Sequence, residues 1–168
     1  MAARQPQRFQ ALVEDHKKIL YKVCRSYCKN PGDWDDLAQE IMLQLWRSFG
    51  GFDERVRFST WMYRIALNVA ISFYRRESVR ARHMMPVDEH LLEAPDETAE
   101  SSEEIQMLYE WIAELDPLNK ALVLLYLDGN SYQEIADVMG ITQTNVATKI
   151  GRLKETLRRR AGVNYGTQ

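Results

Sequence analysis

The apolar residues of this 168-residue chain recur at spacings of three and four, which is the repeat of an amphipathic helix. No segment alternates with period two for long enough to form a strand. The pattern is clear from Phe9 to Tyr27, where Asn30-Pro31-Gly32 then breaks it. The sequence therefore predicts an all-α fold.

Glycine, proline and capping residues divide the pattern into seven predicted helices. Asp33 is the expected N-cap of the second helix, Ser59 or Thr60 that of the third, and Thr142 that of the last. Ser131 and Glu134 match a capping box, in which each side chain satisfies a free amide at the start of a helix. The predicted helices cover residues 9–27, 33–49, 59–82, 105–115, 121–127, 131–140 and 142–160.

Charge is strongly segregated along the chain although the net charge is only −2. Residues 1–83 carry 15 basic and 9 acidic side chains, residues 84–116 carry none and 11, and residues 117–168 carry 7 and 4. Such blocks separate modules, and a proline-containing acidic stretch disfavours a core. We therefore predict a domain at 1–83, a flexible acidic linker at 84–101 and a second domain at 102–168. The linker is a solvated tether, or it keeps the basic surfaces apart from each other or from stray nucleic acid until a partner arrives.

The composition is that of a soluble globular protein, with 45% apolar and 27% charged residues. No stretch approaches the roughly 18 apolar residues of a membrane span, and Met1 to Gln10 lacks the apolar region of a signal peptide. We expect a cytoplasmic protein with no membrane association. Cys24 and Cys28 are therefore expected to stay reduced.

Residues 132–153 have the spacing of a helix-turn-helix. Ala136 lets the two helices approach, Gly140 supplies a positive φ, and Val146 buries the second helix against the first. Polar and basic side chains near the start of that helix suit contacts with duplex DNA in a major groove. A helical hairpin with a solvated basic face is the alternative. The candidate duplex-contacting residues are Gln143, Thr144, Asn145, Thr148, Lys149 and Arg152.

The predicted third helix is unusually basic and aromatic. Seven arginines and one acid, Glu77, lie between Arg55 and Arg82. The helical wheel buries Met62, Ile65, Ala66, Val69, Ala70 and Phe73, and it places Arg64, Asn68, Ser72 and Arg75 on the other side with Trp61 at the edge. Interleaved arginine and aromatic groups suit single-stranded nucleic acid, because unpaired bases stack on rings while the backbone follows positive charge. Core packing of the aromatics beside a solvated basic face is the alternative.

Three runs of sequence together resemble the extracytoplasmic-function sigma factors of bacterial RNA polymerase. DDLAQEIMLQLWRSF, residues 35–49, resembles the polymerase-binding helix of that family, and FSTWMYRIALNVAISFYRR, residues 58–76, is similar to the segment that opens and reads the minus-ten element. Residues 115–159 are similar to the module that binds the minus-thirty-five element. Ser72 stands where the family usually has an acid.

The resemblance implies a function and a set of partners. The protein would direct promoter recognition, promoter melting and transcription initiation. Its partners would be the clamp-helix coiled coil of the largest polymerase subunit but one, promoter DNA in duplex and single-stranded form, and an anti-sigma factor. Free of these partners it would be a monomer. The resemblance places the minus-ten contacts at Phe58, Trp61, Arg64, Asn68, Arg75 and Arg76, with the loop from Gly50 to Arg57 around an extruded base. It places the polymerase contacts at Asp35, Asp36, Gln39, Glu40, Gln44, Trp46 and Arg47.

Two other classes of protein compete with this interpretation. A stand-alone regulator that binds duplex DNA as a dimer would share the helix-turn-helix, but it gives no reason for the basic aromatic helix. A helical enzyme or metalloprotein would need more than His16, Cys24 and Cys28, which make a poor tetrahedral site on one helix. We therefore expect no metal, no cofactor and no catalysis by this chain itself.

Overall fold

The computed structural model describes residues 4–83 and 102–165, and every regular element within these ranges is helical. The all-α prediction is therefore confirmed, with two helical regions. The proposed linker, residues 84–101, lies outside the described residues. The helices are α1 (Arg4–Asp15), α2 (Lys17–Tyr27), α3 (Pro31–Ser48), α4 (Phe58–His83), α5 (Glu103–Glu114), α6 (Pro117–Leu127), α7 (Tyr132–Met139) and α8 (Gln143–Tyr165), and a short 3₁₀ turn (Phe49–Gly51) follows α3.

The single helix predicted at residues 9–27 is in fact two helices, α1 and α2, which meet at His16. His16 has φ −118° and ψ 15°, outside the helical range, and its Nδ1 lies 2.8 Å from the carbonyl oxygen of Leu12. The apolar stripe continues across this break, which is why periodicity alone did not detect it. Helix α3 begins at Pro31 rather than after Asp33, because proline lacks an N–H and has a fixed φ that suits a first turn.

Local capping signals in the second helical region are confirmed. The carboxylate of Asp116 accepts hydrogen bonds from the amides of Leu118 and Asn119, at 3.1 and 3.0 Å, so α6 begins four residues before the predicted start. Ser131 and Glu134 form the reciprocal capping box. Helix α7 ends at Gly140, whose φ of 67° lies in the left-handed region that glycine adopts without strain.

The two helical regions pack against each other, which the sequence did not predict. Buried apolar side chains of both regions form one continuous cluster, and Trp111, Ile112 and Val123 form a second, smaller cluster. The hydroxyl of Tyr27 donates to the carbonyl oxygen of Pro117 at 2.6 Å, and that of Tyr63 donates to Oδ2 of Asp128 at 2.7 Å. Tyr63 and Leu67 are only 1% and 2% exposed, so α4 buries a second stripe in addition to the one on the helical wheel.

Lys120 is the most unusual buried side chain of this contact. It is 2% exposed, and its ammonium lies 5.4 Å from the ring centroid of Tyr27 and 4.6 Å from that of Tyr74. Burial lowers its pKa to about 8, and the nearby charge of Lys29 acts in the same direction. The positive charge is therefore held at a cost despite the two aromatic faces.

Replacing Lys120 with methionine should raise the free energy of unfolding at pH 7, on the order of 1 kcal/mol, because a buried charge gives way to an apolar group of similar length. The destabilisation caused by the charged Lys120 is complete well below pH 8, where the side chain is protonated in both the folded and the unfolded chain. Between pH 8 and 10.5 the folded protein loses this proton before the unfolded chain does, so the destabilisation decreases. The difference between the variant and the parent should therefore shrink between pH 8 and pH 10. Urea unfolding at a series of pH values measures it, and a constant difference would contradict a charged Lys120 at neutral pH.

Candidate nucleic-acid and polymerase interfaces

Helices α7 and α8 form the predicted helix-turn-helix. Ala136 is buried between them, while Val146 and Ile150 bury the inner side of α8. Thr142 caps α8, since its Oγ1 accepts a hydrogen bond from the amide of Asn145 at 3.1 Å. All six residues predicted to contact duplex are exposed on the outer side of α8: Gln143, Thr144, Asn145, Thr148, Lys149 and Arg152.

The predicted strand-contacting residues of α4 lie in two environments. Four side chains are exposed, namely those of Arg64, Asn68, Arg75 and Arg76. Trp61 is half-buried, and Phe58 is only 7% exposed. Phe58 therefore packs beneath the surface in this conformation, whereas part of the Trp61 side chain is accessible.

An aromatic cluster holds Trp61 in place. Its ring centroid lies 5.1 Å from that of Phe52, 5.3 Å from that of Phe58 and 6.2 Å from that of Phe49. Phe49 and Phe52 are stacked with an interplanar angle of 14°. Such contacts fix the indole orientation in advance, which lowers the entropy lost when a base stacks on it.

The loop at residues 50–57 is tied to α1 and braced from within. Glu54 forms an ion pair with Arg8 of α1, and inside the loop Asp53 accepts a hydrogen bond from Nε of Arg55 at 2.7 Å. This hydrogen bond lowers the pKa of Asp53 below its ordinary value. Sequence reasoning missed Arg8, because nothing in the local pattern of α1 indicates a partner 46 positions away.

The predicted polymerase-binding residues lie together along one side of α3. Leu37, Ile41 and Leu45 are fully buried beneath them and fix the helix against the core. Six of the predicted residues are exposed, and Glu40 is half-buried: Asp35, Asp36, Gln39, Glu40, Gln44, Trp46 and Arg47. Leu43 also lies here and is 49% exposed, although the sequence analysis did not select it. Its position three residues from both Glu40 and Trp46 is the signal that could have identified it.

A groove of about 790 Å³ separates this side of α3 from the end of α4. Gln39, Glu40 and Leu43 line one wall, while Arg76 and Val79 line the other. Nη2 of Arg76 lies 2.7 and 3.0 Å from the two carboxylate oxygens of Glu40. The structure therefore brings Arg76, a predicted DNA contact, next to the predicted polymerase contact Glu40.

The described residues carry neither a metal-binding cluster nor a membrane-spanning helix. Across residues 4–83 and 102–165, no group of three or more His, Cys, Asp or Glu side chains could hold a metal ion. Burial raises the pKa of both Cys24 and Cys28 to about 12, so neither thiol is reactive near neutral pH. None of the described helices is long and apolar enough to cross a membrane.

Two protein-family models match the chain. The model for Sigma-70 region 2 matches residues 12–80, and the model for Sigma-70, region 4 matches residues 105–157. The first range contains α3, α4 and the loop between them, and the second contains the helix-turn-helix. Each match therefore coincides with one of the helical regions.

Similar proteins match over most of the chain. The ECF RNA polymerase sigma factor SigW of Bacillus subtilis is 28% identical over 163 residues, covering 90% of this chain and 87% of SigW. The ECF RNA polymerase sigma-E factor of Escherichia coli K12 is 30% identical over 164 residues, covering 89% and 84%. The fold is similar to that of the sigma factor RpoE from Bartonella quintana, solved with the anti-sigma factor NepR, with a TM-score of 0.69, 17% identity and coverage of 94% and 96%.

Proposed function

This chain belongs to the sigma-70 family as an extracytoplasmic-function sigma factor that acts in transcription initiation, and we propose that it uses three surfaces, one for the polymerase core, one for melted DNA and one for duplex DNA. The observation that carries the proposal is that each surface is a row of exposed polar groups on a helix whose opposite side is buried. Rigid helices of this kind present side chains in a fixed geometry.

The polymerase core docks on α3. Its exposed acidic and amide groups around Leu43 and Trp46 suit a helical partner with basic residues beside an apolar seam. The clamp-helix coiled coil of the largest polymerase subunit but one is the partner that the family implies. The core supplies the chemistry of RNA synthesis, and this chain itself acts without catalysis in the cytoplasm where the polymerase works.

The melted strand of the minus-ten element lies along α4. Trp61 offers a partly exposed aromatic ring for base stacking, Asn68 offers an amide, and Arg64 and Arg75 offer charge to the backbone. The loop at residues 50–57 lies beside Trp61 and receives an extruded base. The aromatic cluster and the pair between Arg8 and Glu54 keep this loop in position.

The upstream duplex lies against α8. The exposed amides and hydroxyls of its first turns reach base edges, while Lys149 and Arg152 meet phosphate or base. By analogy with the RpoE complex, an anti-sigma factor is a further partner that would cover these surfaces.

The duplex assignment is tested by Arg152→Ala. Binding to an upstream double-stranded element should weaken by roughly 1 to 3 kcal/mol if Arg152 reads a base, or the salt slope should fall by about 0.9 if it meets only phosphate. Fluorescence anisotropy of the holoenzyme on labelled duplex measures both quantities. Arg158→Ala, another exposed arginine of α8, is the matched control and should change neither. An equal loss of duplex affinity in the two variants would mean that the duplex does not bind at the first turns of α8.

A further inference from the structure

We propose that Ser72 and Arg75 on α4 form a binding site for one phosphate group of the melted strand, with the serine hydroxyl and the guanidinium as its donors. Ser72 is not among the residues that the sequence analysis predicted to contact DNA. The inference rests on the proposed strand-reading role of α4, and it adds to that role a backbone contact at a defined place on the helix.

Ser72 and Arg75 continue the exposed row of α4 that contains Arg64 and Asn68. Residues three or four positions apart lie on the same side of a helix, and all four of these side chains are exposed. Ser72 and Arg75 are separated by about 4.5 Å along the helix axis, since each residue adds about 1.5 Å. A hydroxyl and a long guanidinium at this separation can reach the same phosphate group.

Arg75 differs from the neighbouring arginines in the partners of its guanidinium. Within residues 4–83 and 102–165, no carboxylate or carbonyl oxygen pairs with it. No acid stands three or four positions away on the helix, because those neighbours are Ile71, Ser72, Ser78 and Val79. Oxygen partners engage the other arginines that the structure describes in this stretch, namely Arg55, Arg57, Arg64, Arg76 and Arg80. A phosphate can therefore bind Arg75 without breaking an existing pair.

The hydroxyl of Ser72 is an unused donor as well. Serine and threonine inside a helix often donate to the carbonyl oxygen four residues earlier. Ser26, Thr148 and Thr156 do so in this protein, at 2.8, 3.1 and 3.0 Å. In the part of the chain that the structure describes, the Ser72 hydroxyl has no hydrogen-bond partner, so it is free to donate to a phosphate oxygen.

The neutral side chain at position 72 decides what this site can bind. An acid, which the family usually has here, would repel a phosphate and would pair with Arg75 three residues later. Serine removes both effects and adds a donor. Hydrogen bonds from a hydroxyl and a guanidinium to phosphate oxygens position a nucleic-acid backbone without reading its bases. The site therefore fixes where the strand lies along α4, while Trp61 and Asn68 contact its bases.

A methylphosphonate scan tests the site in the holoenzyme. The probe is a labelled single-stranded oligonucleotide from a promoter that the holoenzyme opens, with one phosphate at a time replaced by an uncharged methylphosphonate. With the parent protein, replacement of the phosphate at this site should weaken binding about 10-fold, because both donors lose a charged acceptor. In Ser72→Asp and in Arg75→Gln that position should become insensitive to replacement, while other sensitive positions keep their effects.

The unmodified oligonucleotide gives the matching affinities. Both variants should bind it about 10-fold more weakly than the parent, and Arg75→Gln should lower the salt slope by about 0.7. Ser72→Ala removes only the hydroxyl donor and should lose roughly threefold. Arg80→Gln is the matched control, because it removes an exposed cation of the same helix that is already paired with Glu77, and it should match the parent.

Two results would overturn the inference. The first is a methylphosphonate profile that is the same in the parent, in Ser72→Asp and in Arg75→Gln, and the second is an Arg80→Gln loss as large as that of Arg75→Gln. Failure of the proposed function looks different. In that case the parent holoenzyme binds no strand, or the Trp61 and Asn68 double alanine variant binds it as tightly as the parent, and the phosphate site then falls with the strand-reading role of α4.

Discussion

Replacing Trp61 and Asn68 together with alanine should slow strand opening about 100-fold while sparing holoenzyme assembly. A lost base stack is worth roughly 1 to 3 kcal/mol and a lost hydrogen bond about 1 kcal/mol, and each 1.4 kcal/mol is a factor of 10. Permanganate reactivity of unpaired thymines measures the opening rate. A premelted bubble should recover much of the defect, because the template then no longer needs to be opened.

Controls separate this effect from a loss of packing. Trp61 contacts three phenylalanine rings, so thermal unfolding of each single variant must be compared with the parent. Asn68→Ala removes only an exposed side chain, and Gln10→Ala on α1 is the matched control for it. If the double variant fails equally on duplex and bubble templates, α4 does not act in strand opening.

Replacing Gln39 and Glu40 together with lysine should weaken binding to the polymerase core about 100-fold, since charge reversal in an interface costs several kcal/mol. Both side chains lie at the groove between α3 and α4, so the change leaves the buried side of α3 intact. Circular dichroism should show unchanged helicity. Co-purification and a competition assay with labelled parent protein measure the affinity for core.

Glu40→Lys also releases Arg76 from its ion pair, in which Nη2 contacts both carboxylate oxygens, so this second effect needs its own variant. Arg76→Gln breaks the same pair without reversing charge on the polymerase side. It should bind the core within about threefold of the parent, because an exposed ion pair contributes little. Equal losses in the Arg76 variant and the double lysine variant would place the docking surface elsewhere.

Much of the helix-turn-helix could be predicted from sequence because its determinants are local. The capping box at Ser131 and Glu134, the left-handed Gly140 and the buried Val146 are all set by residues a few positions apart. The exposure of the predicted contacts on α8 follows from the same periodicity. Their roles in reading DNA stay predictions that the variants above test.

Contacts between distant segments could not be predicted from the same patterns. A helical wheel treats each helix alone, so it assigned α4 one buried side and missed the burial of Tyr63 and Leu67; Tyr63 hydrogen-bonds to Asp128 of the second region. The burial of Lys120 has the same origin, since a lysine in an amphipathic pattern indicates a solvated position. The break at His16 was hidden because the apolar stripe continues through it.

Reconstituted transcription tests the central claim most directly. Polymerase core, alone or with this protein, is given a library of genomic fragments, and the 5′ ends of the transcripts are sequenced. The account predicts starts at a defined set of promoters that core alone ignores, and their loss with the Trp61 and Asn68 double variant except on premelted templates. The opposite result is a protein that binds duplex DNA as a dimer without polymerase and adds no new starts, and it would make this chain a stand-alone regulator.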